Sequence, residues 1–194
     1  LLGWQIPIIT DDSHEKAKIL NIDNKRIEKF FEKNDVIVLA GFQGISLEGE
    51  ITSLGRGGSD TTAVAIASSV GAKRCDIYTD VDGVYTTDPN IDQNAKKISK
   101  MSYEEMLEMA STGSKVLHTR SVELAMKNNL TLQVLSSLKK ETGTFIVDEK
   151  KLIEKEIVSG VSYSKNEAKV TISGILDKPG ISAKIFGLMT ENNI

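Results

Sequence analysis

Apolar residues arrive along this chain in two rhythms. The runs "GWQIPIIT" (3–10), "DVIVLAGF" (35–42), "RCDIYTDV" (74–81), "LTLQVLSS" (130–137) and "GTFIVD" (143–148) are compact and bounded by turn residues, so each predicts a buried strand. Between the first two, "NKRIEKFFEK" (24–33) sets Ile27, Phe30 and Phe31 on one helical face and charges elsewhere. The segment "DTTAVAIASSV" (60–70) is apolar on most faces and predicts a deeply packed helix stopped by Gly71. Two further helices are predicted over 102–111 and 114–128. Alternating strands and helices with short connections imply an α/β fold: three layers, αβα, around a mainly parallel sheet.

The rhythm changes at "DEKKLIEKE" (148–156), a charge-dense stretch that reads as a linker or a solvated helical turn. Beyond it "IVSGVSYSK" (157–165) and "EAKVTISGI" (167–175) predict two strands. "KPGISAKIFGLMTEN" (178–192) predicts a helix with Pro179 and Gly180 in its first turn. The expected division is therefore a first domain over 1–148, then a linker and the opening of a second small α/β unit over 149–194. Starting at Leu1-Leu2-Gly3 without Met and stopping at "TENNI", the chain reads as an internal fragment.

Composition narrows the function classes. With 194 residues and 40% apolar content the chain can bury a full core. Its net charge is −3 with dispersed cations, which offers no basic stripe to a nucleic acid. One cysteine, Cys75, and no Cys/His cluster at metal-ligand spacing point to a reducing, cytoplasmic setting without structural zinc. The longest apolar runs fall short of the ~20 residues a membrane helix needs.

Chemistry concentrates in three places. In "LGRGGSDTTA" (54–63) the glycines free the backbone to take positive φ and to approach a ligand, and Ser59 or Asp60 is the candidate N-cap of the helix that follows. A glycine turn between strand and helix offers unpaired N–H groups to an anion, and Arg56 adds a fork that grips a carboxylate or phosphate. The pattern is neither a Walker loop nor a dinucleotide fingerprint. In "YTDVDGVYTTDP" (78–89) acids and hydroxyls crowd the carboxyl end of a predicted strand, where open α/β sheets bind ligands. There Thr79 and Asp80 are site candidates, whereas Asp82-Gly83 reads as a tight turn. In "STGSKVLHTRS" (111–121) Lys115 falls in the first turn of an expected helix, against the dipole, and calls for a compensating anion, a phosphate or a nearby Glu. His118 has no titratable partner at a telling interval and is left outside the site.

Together with "GFQG" (41–44), "EEMLEMASTGSKVLH" (104–118) and "DKPGISAKIF" (177–186), these motifs resemble the aspartokinases, enzymes of the amino-acid-kinase (carbamate-kinase-like) fold, across almost the whole chain. The resemblance is closest to the lysine-sensitive type with C-terminal, ferredoxin-like ACT domains, the first beginning near Ile157. It implies ATP-dependent phosphorylation of the side-chain carboxylate of L-aspartate, the entry to lysine, threonine and methionine (diaminopimelate) biosynthesis. Phe42, Arg56, Gly57, Gly58 and Ser59 match aspartate-binding positions, with Arg56 on the α-carboxylate. Asp60 matches a catalytic acid that organises lysines around the phosphoryl group, and Lys115 a catalytic cation near the phosphates. Thr79, Asp80, Tyr85, Asp88, Asn90 and Lys115 match the ATP site. Asp177, Lys178, Pro179, Gly180, Ile181 and Ser182 match the effector site for lysine or threonine, and pairing through ACT domains implies a dimer or larger homo-oligomer.

The resemblance implies that Mg²⁺ is carried by ATP, with no dedicated protein cage. It also marks departures: the family's amino-terminal strand with its Lys-Phe-Gly-Gly turn lies outside this sequence, as does the acid that holds the substrate amine, so the fragment alone is expected to be inactive. Asn90 stands where the family usually has arginine, which implies weaker nucleotide binding. The alternatives are a same-fold kinase for glutamate or uridylate, or a non-catalytic amino-acid sensor. "LGRGGSDTTA" and the ACT-like tail count against the first; Arg56, Asp60 and Lys115 count against the second.

Overall fold

The computed structural model describes residues 1–152, 158–164, 171–175 and 178–191. Contacts divide the chain into two compact units, Leu1–Ser164 and Lys165–Ile194. The first unit contains two four-stranded sheets. One has the order β2-β1-β3-β4, from β1 (Ile8–Thr10), β2 (Ile19–Ile22), β3 (Gln43–Ser46) and β4 (Ile51–Ser53); α1 (Asn24–Phe31) lies between β2 and β3 in sequence. The other has the order β5-β7-β8-β6, from β5 (Arg74–Thr79), β6 (Lys100–Ser102), β7 (Thr131–Ser136) and β8 (Thr144–Val147). Helix α4 (Thr119–Lys127) packs on both α2 (Gly58–Ser69) and α3 (Tyr103–Ser111), α2 against β5 and α3 against β6 and β8.

The sheets are mixed, not mainly parallel as expected. β1 with β3, β5 with β7 and β6 with β8 are parallel, whereas β1 with β2, β3 with β4 and β7 with β8 run antiparallel. Each antiparallel pair is joined by a short connection with no helix in it, and a parallel return needs a crossover of a dozen residues or more. The apolar run 36–40 is not a strand, and Val36 and Val38 are 77% and 78% exposed. β-branched composition makes a strand only where a neighbour pairs with it; here the contacts of the run are to Leu1, whose amino group donates to the Val38 carbonyl and whose carbonyl accepts from Ala40 N–H.

The core lies between the second sheet and the three helices. Val64 of α2, Met106 of α3, Val122 and Ala125 of α4, and Leu132, Val134 and Ile146 of the sheet are all fully buried. Cys75 packs in this cluster as a small apolar residue, and burial pushes its thiol up to about 11. Helix α3 starts one residue later than expected because Ser102 is its N-cap. The Ser102 hydroxyl accepts from Glu105 N–H at 3.1 Å while the Glu105 carboxylate accepts from Ser102 N–H at 2.7 Å, a reciprocal capping box.

Residues 158–164, expected as a strand of the second domain, form no strand and lie on the first unit. Val161 N–H donates to the Thr86 carbonyl at 2.7 Å, and the Ser162 hydroxyl meets that of Thr112. Extended backbone laid along a loop satisfies its polar groups there without a ladder. Residues 171–175, the described part of the second expected strand, also form no strand. The second unit contains α5 (Ile181–Glu191): the expected helix is present, but it opens after Pro179 and Gly180 rather than with them in its first turn, Gly180 taking φ 90° just before it. No helix among the described residues is long and apolar enough to cross a membrane.

Ser102→Ala removes one half of the capping box and should lower stability by about 1 kcal/mol. In a protein of this size that is a fall of about 2–4 °C in the melting temperature, measured by circular dichroism.

Candidate active site

Two helix–strand units set up one end of the molecule. Helix α2 has 12 residues, about 18 Å, and runs through a short turn into β5, whose 6 residues span about 20 Å. Because α2 packs back along β5, its N-terminus returns to the level at which β5 ends, at Thr79. Helix α4 leads through residues 128–130 into β7 in the same way, and β7 pairs in parallel with β5, Thr79 opposite Ser136. The N-termini of α2 and α4 and the carboxyl ends of β5 and β7 therefore share one edge, where α/β sheets take ligands.

The elbow at α2 is built by glycine. The N-cap is Gly57, not Ser59 or Asp60, and helix begins at Gly58. Gly57 has φ 71°, a left-handed conformation that glycine enters without strain, and a methyl group there would come within 2.3 Å of the His118 ring. Having no side chain, this cap gives the helix no hydrogen bond. Gly58 N–H is taken by the Gly55 carbonyl at 2.9 Å and Thr61 N–H by the Gly57 carbonyl at 3.0 Å, while the N–H groups of Ser59 and Asp60 find no acceptor among the described residues. These are the groups a bound anion uses.

Phe42 joins the elbow through strained backbone. Among the described residues it is one of two non-glycine residues with positive φ, at 70°. Its N–H donates to the Thr62 hydroxyl at 3.0 Å and its carbonyl accepts from Leu54 N–H at 3.0 Å; its ring lies over Gly58, where a methyl group would meet it at 2.8 Å. Strain held in place from both sides is a mark of a functional position. Arg56 and Ser59 are exposed beside it, Arg56 without an ion-pair partner among the described residues. Asp60 is half-buried: desolvation raises its carboxyl above the usual range, and the His118 N–H and ring work against that rise.

His118 and Arg120 are site-wall residues that sequence reasoning left out. His118 caps α4, its Nδ1 accepting from Arg120 N–H at 3.4 Å, and its ring fills the space over Gly57. Arg120 donates to the carbonyls of Leu54 and Ala17 at 2.9 and 2.6 Å. Helix α4 begins at Thr119 and not at Ser114, so Lys115 is not in a helical turn and opposes no dipole there, contrary to expectation. The apolar pair Val116 and Leu117 packs on the core from a loop. Lys115 is exposed and only three residues before His118, within about 11 Å of it along the chain.

The strand-end cluster divides. The Thr79 hydroxyl donates to Asp80 at 3.0 Å, and the Thr79 carbonyl accepts from Ser137 N–H at 2.8 Å and its hydroxyl at 3.0 Å. Asp82, expected only as a turn former, is a hub: it accepts from the Tyr85 hydroxyl at 2.9 Å and from Lys139 at 3.1 Å, with the Lys97 ammonium 3.8 Å away. Lys97 also pairs with Glu141. Burial would raise the Asp82 carboxyl, but the hydrogen bonds from Lys139 and Tyr85 outweigh it and hold the carboxyl below its usual range. Two cations contributed by positions 97 and 139 are visible only once the fold is formed. Asp88 and Asn90 contact each other in an exposed turn, at 2.9 and 3.0 Å, with no bond to the elbow. Lys178, Pro179 and Gly180 precede α5 in the second unit, Ile181 and Ser182 open it, and Asp177 lies outside the described residues.

A model of the amino acid kinase family matches residues 2–136. The chain belongs to the amino acid kinase family. It is similar to an aspartate kinase of Pseudomonas putida, 52% identical over 193 residues covering 99% of this chain and 47% of that protein. An aspartokinase of Helicobacter pylori is 50% identical over 198 residues, 100% of this chain and 49% of the relative. The crystal structure of E. coli aspartokinase III in complex with aspartate and ADP superposes with a TM-score of 0.71 at 28% identity, covering 100% of this chain and 44% of that one. Its complex with lysine and aspartate gives 0.70 at 27%, with the same coverage. The expected amino-acid-kinase fold and the aspartokinase resemblance thus both hold. The chain spans about half the length of the curated relatives it matches.

Asp60→Asn keeps the acceptor for the His118 N–H and removes a carboxylate that burial disfavours when ionised. The wild-type carboxyl binds its proton more tightly folded than unfolded, so the ionised group costs stability at neutral pH, and the cost vanishes as pH falls through the raised folded value into the ordinary carboxylate range. Thermal melts should therefore show Asp60→Asn more stable than wild type at pH 7.5, with the gain disappearing toward pH 4. A gain independent of pH would contradict this.

Proposed function

We propose that the protein carrying this chain is an aspartate kinase, transferring the γ-phosphoryl group of ATP to the side-chain carboxylate of L-aspartate to give 4-phospho-L-aspartate and ADP. The observation that carries the reading is the elbow itself: a glycine N-cap with two acceptor-free N–H groups, beside an unpaired Arg56, at the end where β5 and β7 terminate. The relatives' names and the aspartate and ADP in the solved E. coli enzyme support the same assignment.

Both reactants are anions, so the chemistry is mostly alignment and neutralisation. Arg56 takes the α-carboxylate of aspartate in a two-pronged hydrogen bond, and Phe42 and the bare glycines close round the substrate backbone. The side-chain carboxylate is already ionised at pH 7 and attacks the γ-phosphorus as the bond to the β-phosphate oxygen breaks; no proton moves. Lys115 and the open N–H groups of α2 meet the charge on the transferring group, and Asp60 orients the cations around it. Thr79, Asp80 and Tyr85 hold the nucleotide at the strand ends, with Asp88 and Asn90 at its outer edge. Mg²⁺ comes bound to ATP and screens its phosphates.

Feedback control is part of the proposal. The E. coli relative solved with lysine supports lysine as an effector, with Lys178 to Ser182 and Asp177 as this chain's effector residues and assembly through the second unit. Within the first unit, residues 158–164 lie against the site's neighbours: they bond to Thr86, beside Tyr85, and to Thr112, three residues before Lys115. As the entry to lysine, threonine and methionine synthesis, the enzyme works in the cytoplasm.

Full-length protein given ATP, Mg²⁺, aspartate and hydroxylamine should form aspartyl hydroxamate. Arg56→Ala should lower kcat/KM for aspartate about 100-fold, the loss of a charge-assisted pair worth about 3 kcal/mol. Lys115→Ala should act mainly on kcat. Equal product from glutamate would overturn the substrate assignment, and absence of inhibition by both lysine and threonine the regulatory one.

A further inference from the structure

Arg120 occupies the first turn of α4, where a cation opposes the helix dipole, and among the described residues its guanidinium meets no carboxylate. Its two hydrogen bonds go to backbone carbonyls in distant segments. Nη1 donates to Leu54, the residue that opens the Gly55-Arg56-Gly57 turn, and Nη2 to Ala17, which is fully buried. Those two segments are already laced together. Ser53 N–H donates to the His14 carbonyl at 2.9 Å, Ala17 N–H donates to the Ser53 carbonyl at 3.0 Å, and a methyl group on Gly55 would come within 2.5 Å of the Glu15 carbonyl. A planar guanidinium has its donors in fixed directions, so it sets the spacing of the two carbonyls it joins and not merely their attraction. Its charge is also felt nearby: the Asp11 carboxyl lies below its usual range, first through the Lys18 N–H, with Arg120 a smaller contributor.

We propose that Arg120 is a positioning residue for the substrate elbow: by clamping the Leu54 and Ala17 carbonyls from α4, it sets where the backbone of Arg56 and the open N–H groups of α2 stand. The inference rests on the elbow being the site of the substrate's α-carboxylate. The clamp explains why an arginine is placed at an unfavourable helix end, since it spends its donors on the one turn whose geometry matters for binding. Arg56 meets the ligand; Arg120 holds the residue before it in line.

The test uses the full-length protein and two variants. Arg120→Ala removes the clamp, and Arg120→Lys keeps the stem and the charge but cannot reach both carbonyls with one ammonium. Two readouts are taken: amide hydrogen exchange without ligand, and steady-state kinetics. Exchange over residues 54–60 should quicken at least tenfold in both variants, with β7 and α3 unchanged. KM for aspartate should rise at least tenfold, with kcat and KM for ATP changing less than threefold, and millimolar guanidinium ion should partly restore KM in Arg120→Ala only. If Arg120→Ala does not fold, Arg120→Lys carries both readouts. Unchanged exchange at the elbow, or a fall in kcat at constant KM, overturns the proposal. If wild type makes no aspartyl phosphate while the elbow amides respond as stated, the substrate reading fails and the clamp stands.

Discussion

A missing side chain governs the candidate site. Gly57 must have positive φ to turn the chain from the end of β4 into α2, and it must have no Cβ, because the His118 ring fills that space. The two demands reinforce each other. The left-handed conformation starts the helix without a capping side chain, which leaves N–H groups open; the tight contact brings α4 against α2, which places a second helix N-terminus beside the first. A capping serine at this position would satisfy one amide and stabilise the helix by about 1 kcal/mol, yet it would occupy the place of an anion. Local stability and ligand capacity are opposed here, and the glycine resolves the conflict toward the ligand.

The rest of the unit serves to hold that edge level. Matched lengths of α2 and β5, and the parallel register of β5 with β7, bring four chain ends to one place without any long loop. The buried cluster between the second sheet and α2, α3 and α4 fixes their mutual height, since close-packed side chains do not let a helix slide. Polar ties then set the finer geometry: Thr62 on Phe42, Arg120 on Leu54 and Ala17, and Asp82 between Tyr85 and Lys139. The first two lie in partly buried surroundings where a lost partner is costly, whereas the Asp82–Lys139 pair involves an exposed lysine and is screened by salt.

Much of this was legible in the residues, and the failures have physical causes. Strands β5, β7 and β8 announce themselves as short apolar runs, and helices α1, α2 and α3 by their helical length and composition, α2 being apolar on most faces. Strands β4 and β6 are three residues long, too short for a period to register. The run 36–40 has strand composition but no strand, since pairing is a property of neighbours and not of the segment. The helix expected from Ser114 starts at Thr119 because Leu117 is apolar for the sake of the core, which imitates a helical period. The glycine elbow and Arg56 could be read directly, as they are contiguous. His118, Arg120 and Lys139 could not, because each acts across a long stretch of sequence: Arg120 on carbonyls 66 and 103 positions away, Lys139 on Asp82 57 positions away, and His118 on the glycine that caps another helix.

Two arginines show how one residue type divides into two roles at such an edge. Arg56 is exposed and without an ion pair among the described residues, so its side chain keeps rotamer freedom that it must surrender, about 2 kcal/mol at most, when it grips an anion. Arg120 has already surrendered that freedom to two backbone carbonyls. Were both free, the elbow would lose its geometry; were both clamped, the edge would have no planar guanidinium free to take a carboxylate in two places. On the proposed reading, the division places this entropic cost on Arg56, which would grip the substrate's α-carboxylate, while the backbone that presents it is ordered in advance. Affinity gained by preorganisation comes from such advance ordering, and on that reading Arg120 contributes it without meeting the substrate.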